Sequence, residues 1–282
     1  MILKGVTLQD VHFGHKHTER MYDELEDFLT FVEETDIDIV HLNGDYFHRK
    51  LTATEPAIAY AIKFFDRLVE LCVKKNIKLR ILLGTRSHDL NQYMTLFSHY
   101  FTRTDVDIPT VMEEEIEGLK ILYVPEEYPE DPDYYKEYKA KKYNMMHGHG
   151  TWDFVSFIAN LEYEKAKISE IIGAPLFEYE HWEDALEDGF AIFGHIHKRQ
   201  QHKKVYYSGS YTAWGYGDPS EKGFMYYEYK LFRVKKFILQ AKSKSKVTFE
   251  ETSLKMETVS DPVPNIKLVP VVATEVSCFP SC

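Results

Sequence analysis

Cysteine is scarce in this chain, with three residues among 282. Cys72 falls inside a helical pattern, while Cys278 and Cys282 lie in the last stretch, so the sequence offers neither a disulfide framework nor a spaced zinc knuckle. Long hydrophobic runs are missing as well. No stretch of about 18 uncharged apolar residues occurs, which argues against a membrane-spanning helix. The opening MILKGVTLQD reads as a strand rather than as a basic region leading into the apolar segment of a secretion signal. The expectation is a cytoplasmic protein. Positive charge is also short: 34 Lys and Arg stand against 45 Asp and Glu, a net charge of −11. That balance disfavours binding nucleic acid through a broad basic face, because Lys and Arg supply most of the non-specific attraction to phosphates. A nucleic-acid substrate would have to be gripped locally, and clustered divalent cations do this whatever the global charge. No internal repeat or low-complexity tract is found.

What the chain does contain is an ordered series of histidine and aspartate signatures: Asp10-Val-His12, Gly44-Asp45-Tyr-Phe-His48, Ser87-His88-Asp89, His147-Gly-His149 and Gly194-His195-Ile-His197. Each follows an apolar, strand-like run. Each side chain is therefore expected at the carboxyl end of a sheet strand, where open α/β sheets place their ligands. A single Asp-x-His or Gly-His-x-His is weak evidence, since core and surface histidines are common. Five at one address carry far more weight. His15, His17, His41, His99, His181 and His202 lack such a context and read as surface or structural residues.

The hydrophobic content of 44% is that of a globular domain with a sizeable core. A strand from Ile2 to Leu8 ends at Asp10. From Thr18, a possible N-cap, Met21, Leu25, Phe28, Leu29 and Val32 form an apolar helical stripe. Ile37 to Leu42 gives a second strand, and a second helix entered near Pro56 carries Ala57, Ala61, Phe64, Phe65, Leu68, Leu71 and Cys72. Further strands are predicted at Leu79–Leu83, Leu119–Val124, Met145–Met146 and Phe190–Phe193. Residues 125 to 143, PEEYPEDPDYYKEYKAKKY, read as a surface excursion with a short helix, the alternative being tyrosines that stack on a base or a partner. The segments Val205-Tyr-Tyr and Gly223-Phe-Met-Tyr-Tyr are expected as antiparallel strands closing a second sheet. Together these elements imply an α/β sandwich of two mixed sheets flanked by helices. Two regions are expected: a domain over 1–230, and a short C-terminal appendage over 231–282 forming an abbreviated cap and tail.

Imidazole and carboxylate donors at strand ends suit first-row divalent ions, and a mixed nitrogen and oxygen set with octahedral preference favours Mn²⁺ over Fe²⁺, Zn²⁺ or Mg²⁺. Asp45 is the candidate bridge, because a carboxylate offers two oxygens to cations about 3.5 to 4 Å apart, the spacing used for in-line displacement at phosphorus. His88, on a loop just after a strand, is the candidate general acid, with Asp89 orienting its ring. Arg86 beside them is a candidate substrate-binding residue.

In these signatures the chain resembles the calcineurin-like metallophosphoesterase superfamily, whose pattern runs D-x-H, G-D, G-N-H-[DE], H and G-H-x-H, over residues 1 to about 230. Gly44-Asp45-Tyr-Phe-His48, and the segment from Tyr207-Ser-Gly-Ser210 through Trp214-Gly-Tyr-Gly-Asp to Lys222-Gly223-Phe224, are similar to SbcD-type DNA repair exonuclease subunits, phage versions included. The resemblance implies a metallophosphoesterase sandwich with two divalent ions. Asp10, His12, Asp45 and His197 would hold one ion; Asp45, His147 and His195 the other, with His149 the alternative to His147. His88 would be the general acid, and His48 would touch the substrate phosphate. It further implies cleavage of duplex DNA ends as exonuclease and endonuclease, an SMC-like coiled-coil ATPase partner, a homodimer, and residence in the host cytoplasm for a phage-encoded form. One departure stands out. The family's G-N-H-D is here Gly84-Thr-Arg-Ser87-His88-Asp89, two residues longer and without asparagine. Ser87 is the expected substitute ligand and Thr85 the alternative, and a hydroxyl in place of an amide oxygen is expected to loosen the second metal site. A small-molecule phosphodiesterase or phosphatase, and a non-catalytic subunit that binds DNA and the ATPase, remain the competing expectations.

Overall fold

A computed structural model describes residues 2–15, 18–90, 107–108, 110–131, 133–155, 175–213, 222–230 and 265–271. Two six-stranded mixed sheets stack face to face. The first runs in the order β14 (Asn265–Val271), β13 (Lys222–Lys230), β1 (Ile2–Leu8), β2 (Ile39–Asn43), β3 (Lys78–Leu82), β4 (Asp107–Ile108), and the second β11 (Gln200–His202), β12 (Val205–Tyr207), β10 (Phe190–Gly194), β7 (Met145–His149), β6 (Leu119–Val124), β5 (Met112–Ile116). In the first, β1, β2, β3 and β4 are parallel, and β13 runs antiparallel to β1. The second sheet repeats the scheme. Its β12, β10, β7 and β6 are parallel, with β11 and β5 antiparallel at the edges. A two-stranded ribbon of β8 (Thr151–Trp152) and β9 (Leu176–Phe177) continues from β7.

The sequence expectation placed Val205-Tyr-Tyr and Gly223-Phe-Met-Tyr-Tyr together in one sheet. They part company: β12 joins the second sheet parallel to β10, and β13 edges β1 in the first. The local antiparallel partner of β12 is β11, because Lys203 takes a positive φ of 48° and turns the chain back after only two residues. Of the expected C-terminal appendage, residues 265–271 form β14, which extends the first sheet beyond β13. The remainder of 231–282 and the Trp214-Gly-Tyr-Gly-Asp motif lie outside the described residues.

Three apolar layers follow from the strand period of two. Alternate side chains of β2 show the division: Val40 and Leu42 pack outward under the helices, while Ile39 points to the other sheet with Leu82, Ile121, Met145, Phe190 and Ile192. Helices α1 (Thr18–Glu34) and α2 (Pro56–Lys75) cover the first sheet with the stripes read from the sequence. Pro56 opens α2 at its first turn and Asn76 closes it in the left-handed conformation. The second sheet's outer face is covered by Trp152, Phe177, Tyr179 and Trp182. No helix among the described residues is long and apolar enough to cross a membrane.

Two histidines are committed to the layer between the sheets. His41 and His147 stack at 3.6 Å between ring centroids, and His41 Nε2 meets the Tyr227 hydroxyl at 2.7 Å. Burial holds both rings well below the usual imidazole range, His147 down to about 3. In the unfolded chain such a ring takes up a proton near pH 6.5, so the native state loses stability as pH falls below that value. Asp10 and Asp89 are pushed up to about 7 by burial and titrate in the opposing sense, so the effect is read by difference. Relative to His147→Leu, the wild type is expected to lose about 2 kcal/mol of unfolding free energy between pH 7 and pH 5. Parallel denaturant profiles for the two proteins at both pH values would contradict this.

Candidate metal centre

The parallel strands of both sheets end on the same side, and the polar signatures gather in the cleft there. β1 delivers Asp10 and His12; β2 delivers Asp45 and His48; β3 delivers Thr85 and His88. From the opposite sheet β7 delivers His149, β10 delivers His195 and His197, and the chain leaving β6 delivers Glu126. Buried amides join the sheets beneath them: Gln9 Nε2 donates to the Phe193 carbonyl at 2.7 Å and Asn43 Nδ2 to that of Ile192 at 3.0 Å. The loops after β1 and β2 are laced together, with the N–H of Asp10 donating to Gly44 O, that of His12 to Asp45 O and that of His48 to Phe13 O.

Asp45 is the hub. Its Oδ2 lies 3.6 Å from His12 Nε2 and 3.1 Å from His88 Nδ1, while Oδ1 lies 3.4 Å from His149 Nε2 and accepts the Thr85 N–H at 2.6 Å. On one side of it Asp10, His12 and His197 converge, with His197 Nε2 3.9 Å from Asp10 Oδ1. On the other stand His149 and His195. Four of these residues, Asp10, His12, Asp45 and His195, hold positive φ values of 50°, 57°, 55° and 92°. Outside glycine that conformation costs on the order of 1 kcal/mol each, and such strain gathers where side chains must be aimed. Gly44, with φ of 85°, is required for close approach: a Cβ there would fall 2.5 Å from His149 Nδ1 and 2.6 Å from the Gly84 Cα.

Several expected residues sit elsewhere. His147 does not reach the cleft, which corrects its expected role; His149 occupies that place. Both point between the sheets, because residues two apart share a face, but β7 runs on through His149, so His147 is set back by about 6 to 7 Å. The Asn43 carbonyl accepts the His149 Nδ1–H at 2.7 Å, which aims Nε2 at Asp45. Ser87 is exposed on the π-helical turn Arg86–Leu90. Thr85, the alternative, is inside: its hydroxyl stands 3.2 Å from Asp45 Oδ2 and 3.1 Å from Glu126 Oε2. Arg86 is exposed, with its guanidinium 5.6 Å from the Tyr128 ring centroid. His48 is half-buried at the opening, its ring 4.9 Å from that of His15 and 6.0 Å from that of His88.

Asp89 does not orient His88. It is fully buried and accepts four backbone N–H groups, from Asp45 (2.7 Å), Tyr46 (2.9 Å), Phe47 (3.2 Å) and Gly84 (3.0 Å). It is the peg on which the Asp45 loop hangs. Asp89→Ala would leave those donors without an acceptor and is expected to cost on the order of 3 kcal/mol. A urea midpoint unchanged from wild type would show that water replaces the carboxylate. Lys222, in the Lys-Gly-Phe segment, braces the neighbouring loop in a similar way, its buried ammonium donating to the His197 carbonyl at 3.0 Å and to Ser210 Oγ at 2.7 Å.

Glu126 carries no signature in the sequence. It lies at the start of the excursion expected as a surface loop, yet it is buried, with Oε2 3.7 Å from His149 Nε2 and 3.9 Å from His195 Nδ1. The only available signal is its position just after the apolar run ending at Val124.

The electrostatics are those of a cation site. Asp10, Asp45 and Glu126 are buried together, and among the described residues their ion-pair partners are all histidines. Burial raises Asp10 to about 7 and lifts Glu126 above the usual carboxylate range. Burial also drives His12 well below the imidazole range and, with the nearby charge of His149, takes His195 down to about 3, so both rings are neutral donors. For His149 burial works against the charged form, but Asp45, Asp10 and Glu126 outweigh it and the ring is held well above its ordinary value. The same contest, with Asp45 the main opponent of burial, raises His88. Asp10 Oδ2 has no hydrogen-bond partner among the described residues, and His149 Nε2 makes no well-directed one. The neutral rings of His12 and His195, the clustered carboxylates and the unpartnered Asp10 Oδ2 fit divalent ions on either side of Asp45, where a bound cation would take the place of the proton on His149.

No family model matches the chain, and no curated protein matches it in sequence. Solved structures are similar at low identity. A Streptococcus pneumoniae protein described as a predicted phosphoesterase is 12% identical, with 82% of this chain and 84% of that chain covered and a TM-score of 0.32. An archaeal phosphodiesterase is 12% identical over 80% of this chain and 93% of that chain, with a TM-score of 0.40. GAP50, the anchor in the inner membrane complex of Plasmodium, is 13% identical over 80% and 81%, with a TM-score of 0.44. At that distance the chemistry has to be read from the residues themselves.

Proposed function

We propose that the chain is a two-metal phosphoesterase, and within that class a DNA nuclease that cleaves phosphodiester bonds at duplex ends, working with an SMC-like ATPase in repair or recombination. One observation carries the class: clustered imidazole and carboxylate donors on both sides of Asp45, with Asp10, His12 and His197 on one and His149 and His195 on the other, and His88 beside His12 and Asp45, at the facing strand ends of two sheets. Asp10, His12, Asp45 and His197 would hold one ion, and Asp45, His149 and His195 the other. Bound there, the ions would supply Lewis acidity to a phosphoryl oxygen and make hydroxide available near neutral pH, with Mn²⁺ the best fit to the donor set.

The remaining work belongs to side chains. His88, with Nδ1 3.1 Å from Asp45 Oδ2, would donate a proton from its other ring nitrogen, Nε2, to the leaving oxygen. His48, held below the ordinary imidazole range by burial and the nearby charge of His15, would offer a hydrogen bond to phosphate at the opening, and Arg86 a cation at the rim. The nuclease reading draws on Gly44-Asp45-Tyr-Phe-His48 and on the Lys222 brace beneath His197. The net charge of −11 favours a second reading, a phosphodiesterase for small molecules. Purified protein with Mn²⁺, offered end-labelled duplex with and without the ATPase and, separately, bis-p-nitrophenyl phosphate, separates the two. Release of nucleotides supports the nuclease. Turnover of the ester alone supports the second reading, and inertness toward both would sink the class.

A further inference from the structure

The second donor group is one ligand short if only the signature residues are counted. Asp45, His149 and His195 supply three donors, and the asparagine that the resemblance calls for is missing from Gly84-Thr-Arg-Ser87-His88. The cleft does not leave that quarter empty. Glu126 enters it from the opposite sheet, with Oε2 3.7 Å from His149 Nε2, 3.9 Å from His195 Nδ1 and 3.1 Å from Thr85 Oγ1. Donors that share one ion at about 2.1 Å lie roughly 3.0 to 4.2 Å from each other across tetrahedral to octahedral angles. The spacings of Glu126 to the two histidines fall in that window.

Building on the two-metal reading, we infer that Glu126 is a ligand of the second ion, a carboxylate supplied by the chain after β6 in place of the amide lost after β3.

Its fixation supports the assignment. The Glu126 N–H donates to the Leu83 carbonyl at 3.0 Å, tying the exit of β6 to the exit of β3 across the cleft, and the Tyr128 hydroxyl donates to Oε1 at 2.6 Å. Oε1 is thereby occupied and Oε2 is turned to the two histidines. A ligating carboxylate is usually steadied in this way by a hydrogen bond on its far oxygen. Thr85, one residue past Gly84, sets its hydroxyl between Asp45 Oδ2 and Glu126 Oε2, so the altered β3 loop holds the substitute ligand rather than replacing it. The exchange also reverses the expectation that a hydroxyl ligand loosens the second site. A neutral donor gives way to an anion, so the charge around the second ion becomes more negative by one. Tighter binding and a bias toward hard, oxygen-seeking ions such as Mn²⁺ follow.

The full-length chain, loaded with Mn²⁺ and dialysed, provides the test. Bound manganese is counted by mass spectrometry, and the spin coupling of neighbouring ions is read by electron paramagnetic resonance. Wild type is expected to hold two equivalents with a coupled signal. In Glu126→Ala one equivalent should remain, with an uncoupled signal and at least about 100-fold weaker uptake of the second ion. Glu126→Gln, similar in size and one charge poorer, should bind the second ion about tenfold more weakly; it serves as the probe if the alanine variant fails to fold. Wild-type affinity in a folded variant overturns the assignment, as does loss of both ions in Glu126→Ala alongside a wild-type melting curve. A wild type that never holds more than one equivalent overturns the two-metal reading itself.

Discussion

Asp45→Ala is expected to empty both metal positions at once and to lower phosphodiester cleavage by at least about 10³-fold. Asp45 is the residue within reach of both donor groups, with Oδ2 toward His12 and Oδ1 toward His149. A pair of ions clamping the attacking and leaving oxygens stabilises the transition state by several kcal/mol, and about 4 kcal/mol is a factor of 10³. The variant keeps the backbone fastening of the Asp45 loop to Asp89 but loses the acceptor of the Thr85 N–H, so metal content is read beside stability. Counting manganese per chain beside a melting curve is decisive: a folded variant retaining two equivalents would show that Asp45 bridges nothing.

The second large effect concerns His88. His88→Ala is expected to retain both ions and to lose roughly 10²- to 10⁴-fold in DNA cleavage, the range contributed by a positioned general acid. A leaving group that needs no proton exposes the role. Against bis-p-nitrophenyl phosphate, whose leaving phenolate is stable, the same variant should lose far less. Equal losses on both substrates would assign His88 to positioning, and loss of metal would make it a ligand, which its 3.1 Å contact with Asp45 makes worth checking.

How much of this was legible in the sequence depended on what marked each residue. Asp10, Asp45 and His195 each follow an apolar run by one to three residues, and the pleat alone puts such residues at a strand's mouth. The choice between His147 and His149 turned on where β7 stops. Gly148 interrupts the apolar pattern, yet the strand continues, because the ring of Phe193 occupies the space a side chain would fill. Asp89 looked like a partner for its neighbour His88, whereas its four partners are main-chain N–H groups, which leave no trace in side-chain identity. Glu126 was hidden by its surroundings: in Pro125-Glu-Glu-Tyr-Pro-Glu-Asp nothing distinguishes the buried Glu126 from the half-buried Glu127 or the exposed Glu130 and Asp131. The layered fold was easier, because the periods of 3.6 and two are imposed over whole elements. The partition of β12 and β13 between sheets was not, since neither strand's own pattern names its partner.

The division of the donors between two sheets has a mechanical corollary. Asp10, His12 and Asp45 belong to one slab of the sandwich, and His149, His195 and His197 to the other, so an ion held among them is also a rivet through the seam. Filling that seam adds to folding stability by mass action, about 1.4 kcal/mol for each tenfold excess of free ion over its dissociation constant. Chelation would therefore do more than silence the chemistry. It would let the two slabs begin to part from the strand-end edge inward, with the histidine stack beneath as the next line of closure.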